Sequence, residues 1–397
     1  MKLDLGPELE AFRRELGDWI EDNRIDGLED VDERAVYLGT FEQSGPVAAA
    51  YRQWSERLGQ ARLICPQWPE EVGGRGLSGA HMAVLNEEFS RRRVPRVSRG
   101  MGESLVGPSI IVHGSEAQKA HFLPRIISGE DRYCQGFSEP DHGSDLAGVE
   151  TSGVVDGEEI VLTGQKVWTS GAHLANMIFV LCRSDPNVPK HQGLSYVLAP
   201  IRDNGVDIRP LRQPTGRSGF SQEYLDGCRA PLLNVIGGLG NGWRVAMTTL
   251  GNERGGGATT QHLRYERELW DLVDEARKRG GTDDPLVRQD LAWAYSHVEI
   301  MRFQGLRLLS ALAAKREPGP EASVNKLFWS EYQQRFGEIA MGVLGADAML
   351  GVGPEYGLGR WQSTFVSSRA VTIFSGTSEI QRNIIGERAL GLPREPG

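Results

Sequence analysis

Apolar positions along the chain change their period twice. Up to about residue 130 they recur at helical spacing. Leu9, Phe12, Leu16, Trp19 and Ile20 share one helical face, and Met82, Leu85 and Phe89 share another around Glu87 and Glu88. Residues 65–78 between them are rich in Pro and Gly and read as a connector, with Ser78 placed to cap the next helix. From about residue 133 to 236 the runs shorten and become rich in Val, Ile, Leu and Phe. Residues 159–162, 177–181 and 194–198 read as strands, with turn signals at Asp156-Gly157 and Asn204-Gly205. After Gly242 the helical period returns, as in Val298, Met301, Phe303, Leu306, Leu309 and Leu312. Breaks at residues 278–285 and at Pro318-Gly319-Pro320 separate successive helices.

This order predicts an α+β chain of three domains: an N-terminal α-helical domain (1–131), a middle β domain of sandwich or barrel-like form (132–236), and a C-terminal α-helical domain (237–397). A length of 397 residues with 39% apolar content is ample for a large core. The net charge of −9, with no basic stripe, argues against a nucleic-acid surface. Only seven of the 44 basic residues are Lys, a bias that reads as genomic rather than as phosphate recognition. Cys65, Cys134, Cys182 and Cys228 form no C-x-x-C pair and read as reduced thiols; the eight His show no metal-ligand spacing. No apolar run approaches the ~18 residues that span a membrane, and the start lacks a signal-peptide core. The expectation is a cytoplasmic protein with no nucleic-acid or membrane partner and no metal.

Three segments carry the chemistry. Residues 135–146, Gln-Gly-Phe-Ser-Glu-Pro-Asp-His-Gly-Ser-Asp-Leu, form a turn that can offer backbone N–H groups and hydroxyls to a flat, acceptor-rich ring and a pyrophosphate. Read alone, it is equally an ordinary turn with Ser caps. In Gly164-Gln165-Lys166-Val167-Trp168-Thr169-Ser170-Gly171, an aromatic followed by hydroxyls can back such a ring; read alone, Trp168 is a strand-end core residue. Gly240-Asn241-Gly242-Trp243 opens a helix that runs to Glu253-Arg254, and no G-x-x-x-x-G-K-[ST] phosphate loop is present.

With residues 68–78, 114–130 and 373–388, these segments resemble the acyl-CoA dehydrogenase family over essentially the whole chain. The resemblance implies that fold, with a C-terminal four-helix bundle, and FAD as cofactor. It implies flavin contacts from Gln135, Phe137, Ser138, Gly143, Ser144, Trp168, Thr169, Ser170, Arg288, Gly345, Thr377 and Glu379. Ser138 is expected at the isoalloxazine and Ser144 near the pyrophosphate or thioester; Ser144, Arg254 and Ser375 are expected on the substrate side.

Many members place a Glu just before the Gly-Thr pair as the base that takes the substrate α-proton. Here that position is Ser375, and a hydroxyl with no adjacent base cannot abstract a carbon-bound proton at neutral pH. Glu253 stands where other branches keep theirs, so the resemblance implies Glu253 as catalytic base. Gly255, Gly256 and Gly257 follow it, a run that either relaxes the helix or leaves space beside the base, space that would admit a branched or cyclic acyl group. The implied reaction is α,β-desaturation of an acyl-CoA to the 2,3-enoyl-CoA, with hydride passing to flavin N5 and electrons leaving to an electron-transfer flavoprotein.

The residues that hold the adenine half of FAD in many members depart here. The Phe-Gly after the usual Arg is missing, Arg288 being the nearest substitute, and Met341 replaces a Gln. A homotetramer and a mixed α2β2 tetramer both stay open. Two rivals remain: a flavin monooxygenase on the same fold, and a partner subunit that completes another chain's FAD site.

Overall fold

The computed structural model describes residues 6–29, 31, 36, 44–255, 259, 261–313, 319, 321–352 and 357–394, with the side chains of 253–255, 312–313 and 321–322 outside that description. The chain divides into two compact units, residues 1–211 with 218–253, and residues 212–217 with 254–397.

The first unit opens with α1 (Gly6–Asn23), which buries Leu9, Phe12, Leu16 and Ile20 as the periodicity predicts. Trp19 stacks toward Trp54 of α2 (Gly45–Gln60), with ring centroids 5.6 Å apart. Ser78 caps α3 (Gly79–Arg91), its Oγ accepting the His81 amide. Glu88 lies on the buried side of α3, paired with Arg91 and Arg92. In the connector, Trp68 donates its indole N–H to Glu103 O and packs so tightly on Gly107 that a Cβ there would sit 1.9 Å from the ring. A π-turn (Gly102–Val106) then leads into α4 (Gly107–His113) and α5 (Glu116–Ser128). Gln118 completes the capping box of α5 and donates from Nε2 to the carbonyls of Leu233 and Val235, fastening the helix to the β elements.

Eight strands form one sheet: β1 (Tyr133–Gly136), β2 (Ser152–Asp156), β3 (Glu159–Ser170), β4 (Met177–Arg183), β5 (Leu194–Pro200), β6 (Val206–Leu211), β7 (Phe220–Pro231) and β8 (Val235–Ile236). The order is β6-β7-β3-β2-β4-β5-β8, with β1 paired to β4 in parallel. The predicted Asp156-Gly157 turn closes the β2–β3 hairpin, Gly157 taking φ +64°. Ile160, Leu162, Ile178, Val180, Val197 and Ala199 lead the β core. All four cysteines are free and buried. Helix α6 (Gly242–Gly255) ends the unit.

The second unit is helical: α7 (Gln261–Lys278), α8 (Pro285–Ala313), α9 (Glu321–Leu344), α10 (Arg360–Ser368) and α11 (Ser378–Ile384). The first three bury Tyr265, Leu272, Val298, Tyr332 and Phe336 between them. The predicted break at residues 278–285 falls between α7 and α8. Pro318 and Pro320 lie outside the described residues.

Candidate functional site

Strand β3 alternates inward and outward until a bulge between Val167 and Thr169 disturbs the ladder with β7. Trp168 sits in the bulge at φ +65°, a left-handed conformation that costs a non-glycine residue about 1–2 kcal/mol. The consequence is direct. Trp168, which strict alternation would send inward, stands 63% exposed, edge-on to Phe220. An indole held open in this way presents a flat apolar face, the shape and chemistry that a planar isoalloxazine covers. The Val167 amide donates to Ser138 O, which ties the two predicted flavin segments side by side.

The turn after Ser138 is fastened from below. Glu139 accepts the backbone amides of Glu150 and Thr151 at 2.7 and 2.8 Å and the Lys166 ammonium at 2.8 Å. Lys166, on the inner face of β3, also donates to Phe137 O and Leu181 O and is fully buried. Burial pushes the Glu139 carboxyl up, but Lys166 and the amides outweigh it and hold it below its ordinary value. The same burial pulls the Lys166 ammonium down against the pull of Glu139. Reciprocal backbone bonds between Glu139 and His142 close the turn, and Gly143 and Ser144 lie exposed just after it. Ser138 and Ser170 are half-buried beside Trp168.

Two expected flavin contacts face the other way. The Phe137 ring, one residue past the end of β1, is buried edge-on to Phe179 and Tyr196, at 5.5 and 5.9 Å between centroids. Thr169 takes the inward position that the bulge denies to Trp168. Its hydroxyl lies 3.1 Å from Gln135 O and hydrogen-bonds Glu223 Oε2. Sequence reading assigned no role to Lys166, Glu139 or Glu223. Glu223 alone left a signal, a carboxyl in the inward row Ser221, Glu223, Leu225 of β7.

Helix α6 carries Glu253 at its C-terminal end; the side chains of Glu253, Arg254 and Gly255, and Gly256 and Gly257 altogether, lie outside the described residues. The described part of the helix is well anchored. Thr248 meets His113 Nε2 and Thr249 meets Ser109, both at 2.8 Å, and Thr249 also reaches the Tyr196 hydroxyl.

In the second unit, Ser375 (φ +54°) and Gly376 (φ +87°) are both left-handed, and Gln381 Nε2 donates to the carbonyl of Ser375 at 3.1 Å. Thr377 caps α11, and a cleft of about 320 Å³ is lined by Gln334, Thr372, Thr377, Ser378, Glu379 and Arg382, among others. Ser378 Oγ is buried there with no hydrogen-bond partner among the described residues. The Glu379 carboxyl is held below its ordinary value by its own backbone amide and then by Thr377. Arg288 and Gly345 are exposed and do not line this cleft. Met341, at the departed adenine-side position, packs against the bundle core.

Family profiles match the chain in three consecutive stretches: "Acyl-CoA dehydrogenase, N-terminal domain" over residues 7–130, the middle domain over 134–227 and the C-terminal domain over 240–390. The chain belongs to the acyl-CoA dehydrogenase family. It is 42% identical to acyl-CoA dehydrogenase IpdE1 of Mycobacterium tuberculosis over 98% of this chain and 99% of that one, and 31% identical to FadE29 of the same organism over the full length of both. Among solved structures, the Tcur3481-Tcur3483 steroid ACAD superposes with a TM-score of 0.80 at 31% identity, covering 99% of this chain and 100% of that one. The ChsE4-ChsE5 complex of M. tuberculosis superposes with a TM-score of 0.75 at 29% identity, covering 100% of both chains.

The expected fold, an N-terminal helical, a middle β and a C-terminal helical domain, is therefore that of the family. The protein is an oxidoreductase acting on CH–CH groups, a flavoprotein of lipid metabolism with FAD as cofactor. Within the first unit, the open Trp168 face and the hydroxyl-bearing turn ends are a stacking and donor set that suits a flavin ring. No helix among the described residues is long and apolar enough to cross a membrane.

Proposed function

We propose that this acyl-CoA dehydrogenase desaturates the α,β carbons of an acyl-CoA whose acyl group carries steroid-derived rings, with Glu253 as the base. The observation that carries the assignment is Ser375. The position before Gly376-Thr377 holds a hydroxyl, so the proton must go to another group, and α6 brings a carboxylate-bearing residue at Glu253. FAD, when bound, supplies the hydride acceptor for the β-carbon. Trp168, Ser138, Ser170, Gly143 and Ser144 would hold its ring and pyrophosphate, and Thr377 and Glu379 would contribute at the start of α11. The Ser375 backbone N–H hydrogen-bonds the thioester oxygen and so stabilises the enolate formed as Glu253 takes the α-proton. Ser144 and Arg254 complete the substrate side.

The steroid-derived acyl group is supported by 31% identity to a steroid ACAD over 99% of the chain. The proposed assembly is a tetramer. A mixed α2β2 form stands beside the homotetramer because the adenine-side residues are altered and the relatives Tcur3481-Tcur3483 and ChsE4-ChsE5 pair two chains. An electron-transfer flavoprotein is the proposed acceptor.

The test is anaerobic flavin bleaching by a panel of acyl-CoAs in wild type and Glu253→Gln. The variant is expected to keep FAD and substrate binding but to lose at least ~10²-fold in reduction rate. Near-normal reduction would remove Glu253 from the mechanism.

A further inference from the structure

Glu223 is fully shut away from solvent, and its Oε1 has no hydrogen-bond partner among the described residues. Its Oε2 meets the Thr169 hydroxyl, which also lies 3.1 Å from the Gln135 carbonyl. The proton count of this chain decides its state. If Glu223 were ionised, the single Thr169 proton could serve only one of its two contacts, Glu223 Oε2 or Gln135 O, and the other would face the hydroxyl without a proton while a charge lay buried. If Glu223 is un-ionised, its O–H donates to Thr169 and Thr169 donates to Gln135, so both links are made.

No neighbouring cation offers another solution. Lys166 stands opposite Glu223 in the β3–β7 register but is committed to Phe137 O, Leu181 O and Glu139. From β1 the facing titratable group is the Cys134 thiol, itself raised by burial and then by Glu223. Strand β6 opposes it with Ile208, and the flanking Asp207 and Arg209 pair with each other at the surface. From β5, Tyr196 turns its hydroxyl to Thr249; His173, on the short turn beside β7, is exposed. Among the described residues, no ion pair involves Glu223. Burial raises its carboxyl to about 7, against a smaller opposing pull from Thr169.

We propose that Glu223 is a neutral carboxylic acid that positions the two flavin-facing strand ends, residues 135–138 and 168–170, through the relay Glu223 to Thr169 to Gln135. Thr169 is the residue next to Trp168, so the relay fixes the bulge that turns the indole outward. Ionising Glu223 breaks one link and frees the bulge. Glu223 is thus a positioning residue, and the inference rests on the reading that Trp168 and Ser138 face the flavin.

The experiment has two independent readouts. The first is the infrared difference spectrum of apoprotein, wild type minus Glu223→Gln. A carboxylic-acid carbonyl band is expected at about pH 6 and should fade by about pH 9. Absence of that band at about pH 6 overturns the proposal, wherever the flavin lies. The second is FAD affinity across the same range. Wild type is expected to weaken by about tenfold, the scale of one linked proton over a pH unit. Glu223→Gln, whose amide N–H still donates to Thr169, is expected to match wild type at about pH 6 and to stay flat. Equal pH slopes in the two proteins overturn the positioning role. If Glu223→Gln does not fold, Thr169→Val serves instead: the carbonyl band should move, and an unmoved band overturns the relay. Trp168→Ala checks the flavin reading separately. If it leaves FAD affinity intact while the band is present, the placement of the flavin fails and the neutral Glu223 stands.

Discussion

Lys166 Nζ lies 2.8 Å from Glu139 Oε1, and both groups are buried beneath the turn that leads to Gly143 and Ser144. The pair is complete: two backbone amides fill the carboxylate and two carbonyls fill the ammonium. A buried pair of this kind adds little net stability but is costly to break from one side.

Lys166→Met leaves the Glu139 carboxylate buried without its cation and is expected to cost about 3–5 kcal/mol. Urea unfolding of the apoprotein measures it. A loss under about 1 kcal/mol would mean that water reaches Glu139.

Trp168 separates conformational strain from ligand contact. Trp168→Gly relieves the left-handed backbone and Trp168→Ala does not, so the glycine apoprotein is expected to be the more stable by about 1 kcal/mol. Both variants lose the indole and are expected to lose FAD affinity alike, by about tenfold. Thermal unfolding reads the first effect and flavin fluorescence titration the second; a large difference in affinity between the two variants would assign binding to the backbone.

Glu223 makes stability depend on pH with a definite sign. Its carboxyl is raised from an ordinary 4.5 to about 7 in the folded chain. Its contribution is fully present below about pH 4.5 and is lost as pH rises to about 7, for a total of about 3 kcal/mol. Glu223→Gln lacks this loss. Denaturation of both proteins at a series of pH values should give curves that diverge through that window; parallel curves would show the carboxyl ionised throughout.

Position 375 offers a rescue. In Glu253→Gln, adding Ser375→Glu restores a carboxylate at the family's other base position and is expected to return part of the flavin-reduction rate. The double variant is measured by stopped-flow bleaching against Glu253→Gln alone, and no recovery would count against a shared α-carbon.

Much of this was legible in the residues themselves. Period-3.6 runs marked α1 and α3, the cap at Ser78 was visible, and the strands around Ile160, Phe179 and Val197 followed from local composition. These are short-range properties, set by side-chain spacing and turn chemistry within a few residues. The motifs named the family, and they put Ser375 where the resemblance leads one to expect a base. Which way each side chain faces in the two segments proposed to meet the flavin was decided only by tertiary structure. One extra residue between Val167 and Thr169 reverses the alternation, sending Trp168 outward and Thr169 to Glu223, and no local pattern announces where a ladder bulges. The same holds for Phe137, buried against Phe179 and Tyr196, and for Lys166, whose partner Glu139 lies 27 positions away. Such pairs exist because strands far apart in the chain come within hydrogen-bonding distance, and buried charges must then find each other.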